Sequence, residues 1–315
     1  MSVNLTNNTC SEIVWTQRFL VSSIVYALVL AVGLPVNAVS LWVLLRRHGL
    51  RSPSAVLMIN LAASDMLLAL SLPLRVYFYA TLRWPFGTGM CTAAVMMFRI
   101  NIRTSCIFIT LISLDRLLAL VFPLRSRSLR TSGFASKFCG LVWILITILC
   151  IQESIIYSRA LNKSLCGSNI FCFEVQVEGS EPVAIGQASF FLILLVINII
   201  STVMVICALR KRPSVDAAKV NNKMSVILIF VVNMMVFIVF ILPFSLQLMM
   251  VTLKNEELEY KTGREVLRAL ICLASVNCCL DPLIYYFSLD SFWQDKSKSQ
   301  GYATTHSLSK SMERS

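Results

Sequence analysis

Residues 263–287 read GREVLRALICLASVNCCLDPLIYYF, an apolar run interrupted near its end by Asp281 and Pro282. At about 1.5 Å per residue, a helix of this length crosses the roughly 30 Å hydrocarbon layer of a bilayer. A carboxylate inside such a segment is expensive and marks function by default. Six more windows of spanning length run over residues 19–45, 55–80, 90–121, 137–158, 184–210 and 222–251. Asn37, Asp65 and the pair Asp115-Arg116 sit inside three of them, so the pattern of a polar group in an apolar span repeats. Hydrocarbon offers the backbone no hydrogen bonds, which makes each window a helix.

The fold class is therefore all-α, a seven-transmembrane helix bundle with a short interfacial C-terminal helix. Hydrophobic residues make up 57% of the chain and charged ones 14%, leaving no room for a separate soluble domain. The expected organisation is an N-tail over residues 1–18, a membrane domain over 19–288, and residues 289–315 as interfacial helix and tail. In that helix, Asp290 to Lys296, Phe292 and Trp293 would face lipid. The tail is rich in serine and threonine and reads as a disordered segment with phosphorylation sites.

Basic residues set the orientation. Arg46, Arg47 and Arg51, then Arg125, Arg127, Arg130 and Lys137, then Arg210, Lys211, Arg212, Lys219 and Lys223 fall in the odd-numbered connections, and Lys296, Lys298, Lys310 and Arg314 in the tail. By the positive-inside rule these lie in the cytoplasm and the N-terminus lies outside, at the plasma membrane. The first 18 residues carry neither a basic n-region nor an apolar h-region, so the first span is expected to act as the insertion signal. The acceptor tripeptides at Asn4, Asn7 and Asn162 all fall on the outer side, consistent with a glycoprotein. The net charge of +12 is read as this bias plus contact with anionic lipid, not as nucleic-acid binding. Seven of the eleven cysteines lie within spans as small packing residues. Cys91 and Cys172 lie in the oxidising outer compartment and are expected to be bridged, while Cys10 and Cys166 form a remaining outer pair whose connectivity stays open.

Gly33 to Asn37, Leu61-Ala62-Ala63-Ser64-Asp65, Cys91, Asp115-Arg116-Leu117, Trp143, Phe237 with Pro243, and Asp281-Pro282-Leu283-Ile284-Tyr285 carry a resemblance over nearly the whole chain. In these motifs and their order the chain resembles the rhodopsin-like (class A) G-protein-coupled receptors. Within the class, Ser71-Leu72-Pro73-Leu74-Arg75, Trp84-Pro85-Phe86, Cys172-Phe173-Glu174 and Asn277 to Pro282 are most similar to the lysophosphatidic acid receptors. The resemblance implies a sodium ion held by Asp65, Asn101, Ser105, Asn277 and Asp281, with a water-filled hydrogen-bond network as the alternative. It implies coupling to a heterotrimeric G protein through Asp115, Arg116, Pro123 and Leu124, a conformational switch at Phe237, Pro243, Pro282 and Tyr285, and engagement of arrestin. A resting restraint on Arg116 through a buried ion pair would bias two conformations.

Ligand chemistry is written in arginine. Arg99 and Arg103 share a face of the third span, about 12 Å and about 18 Å below Cys91. Arg75 stands about 15 Å above Asp65 and Arg268 about 20 Å above Asp281, so the four converge on the outer half of the bundle. Guanidinium groups grip phosphate or carboxylate in a bidentate way. These four are the ligand-binding candidates, and an anionic lysophospholipid with its chain among apolar walls is the expected ligand. Glu153 competes for Arg99 and Arg103 as a structural partner, and Arg264 at the mouth reads as a steering charge.

A nucleotide or another small anion is the alternative ligand. The alternative of another class is an ion channel or transporter, against which the lack of internal repeats argues. Phe98 stands where amine receptors carry an aspartate, and no lysine lies between 263 and 287 to form a retinal Schiff base. Leu117 and Ile241 replace the family's usual tyrosine and tryptophan, and the fifth span lacks its proline and tyrosine. An enzyme is not expected: His48 and His306 lie outside the bundle core and no glycine-rich phosphate loop is present.

Overall fold

A computed structural model describes residues 17–122, 124, 126, 130–163, 172–175, 181–210, 217–253 and 257–283. The helices are α1 (Gln17–Val43), α2 (Pro53–Thr81), α3 (Gly87–Val121), α4 (Ser132–Lys163), α5 (Glu181–Arg210), α6 (Ala217–Met235), α7 (Leu242–Leu253) and α8 (Glu257–Ser275). A π-helical segment, Val236–Ile241, joins α6 to α7, so these three make one span, and α8 with its continuation to Leu283 makes the last. Among the described residues, seven helical spans of membrane-crossing length and hydropathy result, as the sequence implies.

Local chemistry explains the boundaries. Ser52 caps α2 by accepting from Ala55 N at 3.2 Å, with Pro53 at the first helical position, where its missing N–H costs nothing. Thr131 likewise accepts from Phe134 N at 3.2 Å, which starts α4 ahead of the hydropathy window at 137. A capping hydroxyl is invisible to an apolar count. The π segment ends two residues before Pro243, which lacks the N–H that a regular turn would require. In the last span, Val276 N bonds Leu273 O at 3.0 Å and Cys279 N bonds Val276 O at 2.9 Å, a tight turn that presents the Asn277–Asp281 segment inward.

Burial separates the centre from the rim. In α2, 67% of the most apolar window is buried, against 28% in α4. The exposed face of α4, with Ile144, Leu145, Ile148 and Ile151, is the surface a lipid-facing helix needs. Asn37 ties α1 to the last span by donating to Gly33 O at 3.0 Å and to Cys278 O at 2.7 Å. A Cβ at Gly33 would lie 3.1 Å from Cys278 Sγ, so glycine is what permits this approach. The expected interfacial helix and tail lie outside the described residues, as do Cys10 and Cys166.

Candidate ligand site and the polar interior

The Cys91–Cys172 disulfide links the second outer loop to the start of α3, and defines the end called outer below. It folds Phe173 and Glu174 over the bundle. Phe173 has φ 71°, a left-handed conformation uncommon for a bulky residue, and its ring lies 4.5 Å from the Arg75 guanidinium. Phe98 at 4.8 Å and Tyr26 at 5.6 Å complete an aromatic cage around that cation. Arg75 is only 3% exposed and forms no ion pair with any described residue. Cation–π contacts of about 0.5–2 kcal/mol each offset part of the cost of burying it.

The other three expected ligand arginines already have carboxylates. Arg99 Nη1 donates to Glu153 Oε2 at 2.9 Å, and Arg103 Nη2 donates to Glu153 Oε1 at 2.6 Å and to Gln187 Oε1 at 2.9 Å. The structural alternative weighed for this pair is the arrangement observed. Arg268 Nε donates to Glu174 Oε1 at 2.7 Å, with its guanidinium 4.9 Å from the Phe19 ring. The side chain of Arg264 is outside the described set.

Deeper, Asp65 Oδ1 accepts from Asn101 Nδ2 at 3.1 Å and Ser105 Oγ at 3.3 Å, and Asn277 Nδ2 donates to Asp281 Oδ2 at 3.4 Å. Ser64 joins by accepting from Asn101 Nδ2 at 3.2 Å. Asp65 Oδ2, Asp281 Oδ1 and Asn277 Oδ1 are buried without a donor among the described residues. Acceptor oxygens converging without donors fit a hard cation, and fit ordered water equally.

At the inner end Asp115 does not hold Arg116. Its carboxylate accepts from Ser54 Oγ at 2.5 Å and from Arg130 Nε at 2.8 Å, while Arg116 Nε is buried without a partner among the described residues. In place of the expected ion pair at Arg116, Asp115 clasps Ser54 on α2 and Arg130 in the second inner loop. Adjacent helical residues project about 100° apart, so Asp115 faces the loop and Arg116 the bundle axis. Leu124 is 90% exposed there. Phe237 is buried in the π segment, Pro243 follows it, and Pro282 follows Asp281. Asn162 is exposed near the end of α4, whereas Asn4, Asn7, Pro123 and Tyr285 lie outside the described residues.

Two polar links escaped the sequence reading. Asn198 on α5 donates to Thr110 Oγ1 at 2.8 Å, and Asn233 on α6 donates to Ser113 Oγ at 2.7 Å. Both asparagines sit in apolar spans as Asn37 does, and that signal marked them equally.

The family model described as 7 transmembrane receptor (rhodopsin family) matches residues 36–285. The chain is 38% identical to Lysophosphatidic acid receptor 5 of Bos taurus, over 85% of this chain and 76% of the relative. It is 30% identical to Lysophosphatidic acid receptor 6 of Gallus gallus, over 89% and 94% respectively. It is also 32% identical to Proteinase-activated receptor 1 of Cricetulus longicaudatus, over 87% and 64%.

Proposed function

This chain belongs to the rhodopsin family of seven-transmembrane receptors, and we propose that it is a plasma-membrane receptor for an anionic lysophospholipid such as lysophosphatidic acid. The N-terminus faces outward, by the distribution of arginine and lysine. Ligand binding shifts the population towards a state that activates a heterotrimeric G protein. Two of the relatives carry the name of that ligand. The similarity to a proteinase-activated receptor means identity alone does not choose the ligand.

The observation that carries the choice is Arg75. Alone among the four outer arginines it is buried without a carboxylate partner among the described residues. A phosphate would supply the missing charge, and an acyl chain would gain about 0.8 kcal/mol for each methylene buried among the surrounding apolar walls. Arg268 is the second headgroup residue, exchanging Glu174 for the ligand. Arg99 and Arg103, joined to Glu153, shape the α3–α4–α5 wall.

At mid-depth Asp65, Asp281, Asn277, Asn101 and Ser105 would hold a sodium ion, which supplies positive charge between two carboxylates. Phe237, Pro243, Pro282 and Tyr285 form the switch. At the inner face Arg116 meets the G protein, with Asp115, Pro123 and Leu124 as the other coupling residues, and arrestin engages the phosphorylated tail. The test is nucleotide exchange on G proteins in membranes bearing the full chain, with lysophosphatidic acid and nucleotides applied separately. The expected result is a lysolipid response that Arg75→Ala abolishes at unchanged surface level. Equal potency in that variant, or a response to nucleotide only, overturns the ligand.

A further inference from the structure

We propose that the Tyr26 hydroxyl is a second donor to the ligand headgroup, forming with Arg75 a seat for a phosphate monoester; this rests on the lysolipid reading above. Tyr26 lies on α1 and is fully buried, and its hydroxyl, close to the Arg75 guanidinium and the Cys272 thiol, makes no hydrogen bond of good geometry among the described residues. Arg75 Nε, also buried, makes none with any described residue. The guanidinium carbon is 5.6 Å from the Tyr26 ring centroid; a guanidinium can only donate, so it offers the phenol hydrogen no acceptor and the two donors share one enclosure.

The wall that carries Tyr26 is fixed by stacking. The Tyr26 ring stacks on Tyr79 with centroids 5.6 Å apart and planes at 20°, and Tyr79 stacks in turn on Phe173 at 6.1 Å. Phe19 stacks on Tyr79 from another side at 6.1 Å. A phenol held by stacking cannot swing out to find an acceptor, and leaving it unmet carries the desolvation cost of a buried polar group. Arginine cannot shed its proton to relieve the site. What fits is an acceptor-rich anion: a terminal phosphate has three oxygens, enough to take the guanidinium fork and the phenol together. The roof is Phe173, which must lift from Arg75 to admit it.

The phenol and the ring can be separated experimentally, because Tyr26→Phe removes only the oxygen. The full-length variant and wild type are compared in membranes for lysophosphatidic acid potency, and after detergent extraction for thermal stability with and without that lipid. The expected result is a loss of potency of roughly tenfold or more, as befits a charge-assisted hydrogen bond. Stability without lipid should be unchanged or higher, since an unsatisfied group is gone, while the stabilisation by lipid shrinks. A purely structural phenol would give the opposite, a drop in lipid-free stability that accompanies any loss of potency, and that result overturns the proposal. A responsive wild type with unchanged Tyr26→Phe potency also overturns it while leaving the lysolipid receptor in place. A wild type silent to the lipid removes both.

Discussion

Asn233 on α6 donates its amide to Ser113 Oγ on α3 at 2.7 Å, three residues before the π-helical segment that carries Phe237. One turn away on α3, Thr110 receives Asn198 of α5 at 2.8 Å. Two amides thus fasten the fifth and sixth spans to α3 beside an Arg116 that forms no ion pair with any described residue. Neutral hydrogen bonds of this kind are cheaper to break than a buried ion pair.

Asn233→Leu should therefore raise basal signalling. A hydrogen bond between membrane helices is worth about 0.6 kcal/mol, which corresponds to roughly a threefold shift in a two-state population. Agonist-free nucleotide exchange, normalised to surface receptor, reads this directly. A basal rate equal to wild type would mean that the bond survives activation or does not oppose it.

Glu153→Gln should destabilise the outer half of the bundle. It leaves Arg99 and Arg103 facing a neutral amide; breaking a fully buried ion pair costs about 3–5 kcal/mol, and the cost here is smaller because the Arg99 and Glu153 side chains are 31% and 12% exposed. The thermal midpoint of the purified receptor is expected to fall by several degrees, with surface expression reduced. If the variant is as stable as wild type, an external anion is already neutralising the pair, and the assignment of these arginines to the wall is wrong.

Gly33→Leu should separate α1 from the last span. A Cβ already meets Cys278 Sγ at 3.1 Å, so three further carbons have no space, and overpacking of this kind costs about 1–3 kcal/mol. Asn37→Ala should have a similar effect by removing the bonds to Gly33 O and Cys278 O. Each is expected to lower the yield of correctly inserted receptor. Equal thermal stability of either variant would show that this contact does not hold α1 in place.

Replacing sodium with a bulky organic cation should increase agonist potency in wild type, and Asp65→Asn should make the receptor indifferent to the exchange. The donor-free oxygens of Asp65, Asp281 and Asn277 motivate the expectation. Identical wild-type curves in both salts would favour ordered water in that space.

Some of this was legible residue by residue. A polar group in an apolar span is visible without knowing what surrounds it, and Asn37, Asp65, Asn101 and Asp281 all proved to lie inside the bundle. Helix ends were less so, because the Thr131 cap and the turn at Val276 depend on single hydrogen bonds and not on hydropathy. The π segment in the sixth span also passed unnoticed: Pro243 announces a disturbance of the helix but not the form it takes.

The sequence by itself determined the seven spans, and the positions of the buried polar groups, because the cost of placing a side chain in hydrocarbon belongs to each segment separately. It could not decide how charges pair. Arg75, Arg99, Arg103 and Arg268 look alike as letters at similar depth, and only the packing of α3 against α4 and the fold of the disulfide-tethered loop give three of them a carboxylate. An ion pair depends on distances between atoms far apart in the chain, over a few ångströms. Those distances exist only once the helices have rotated into place.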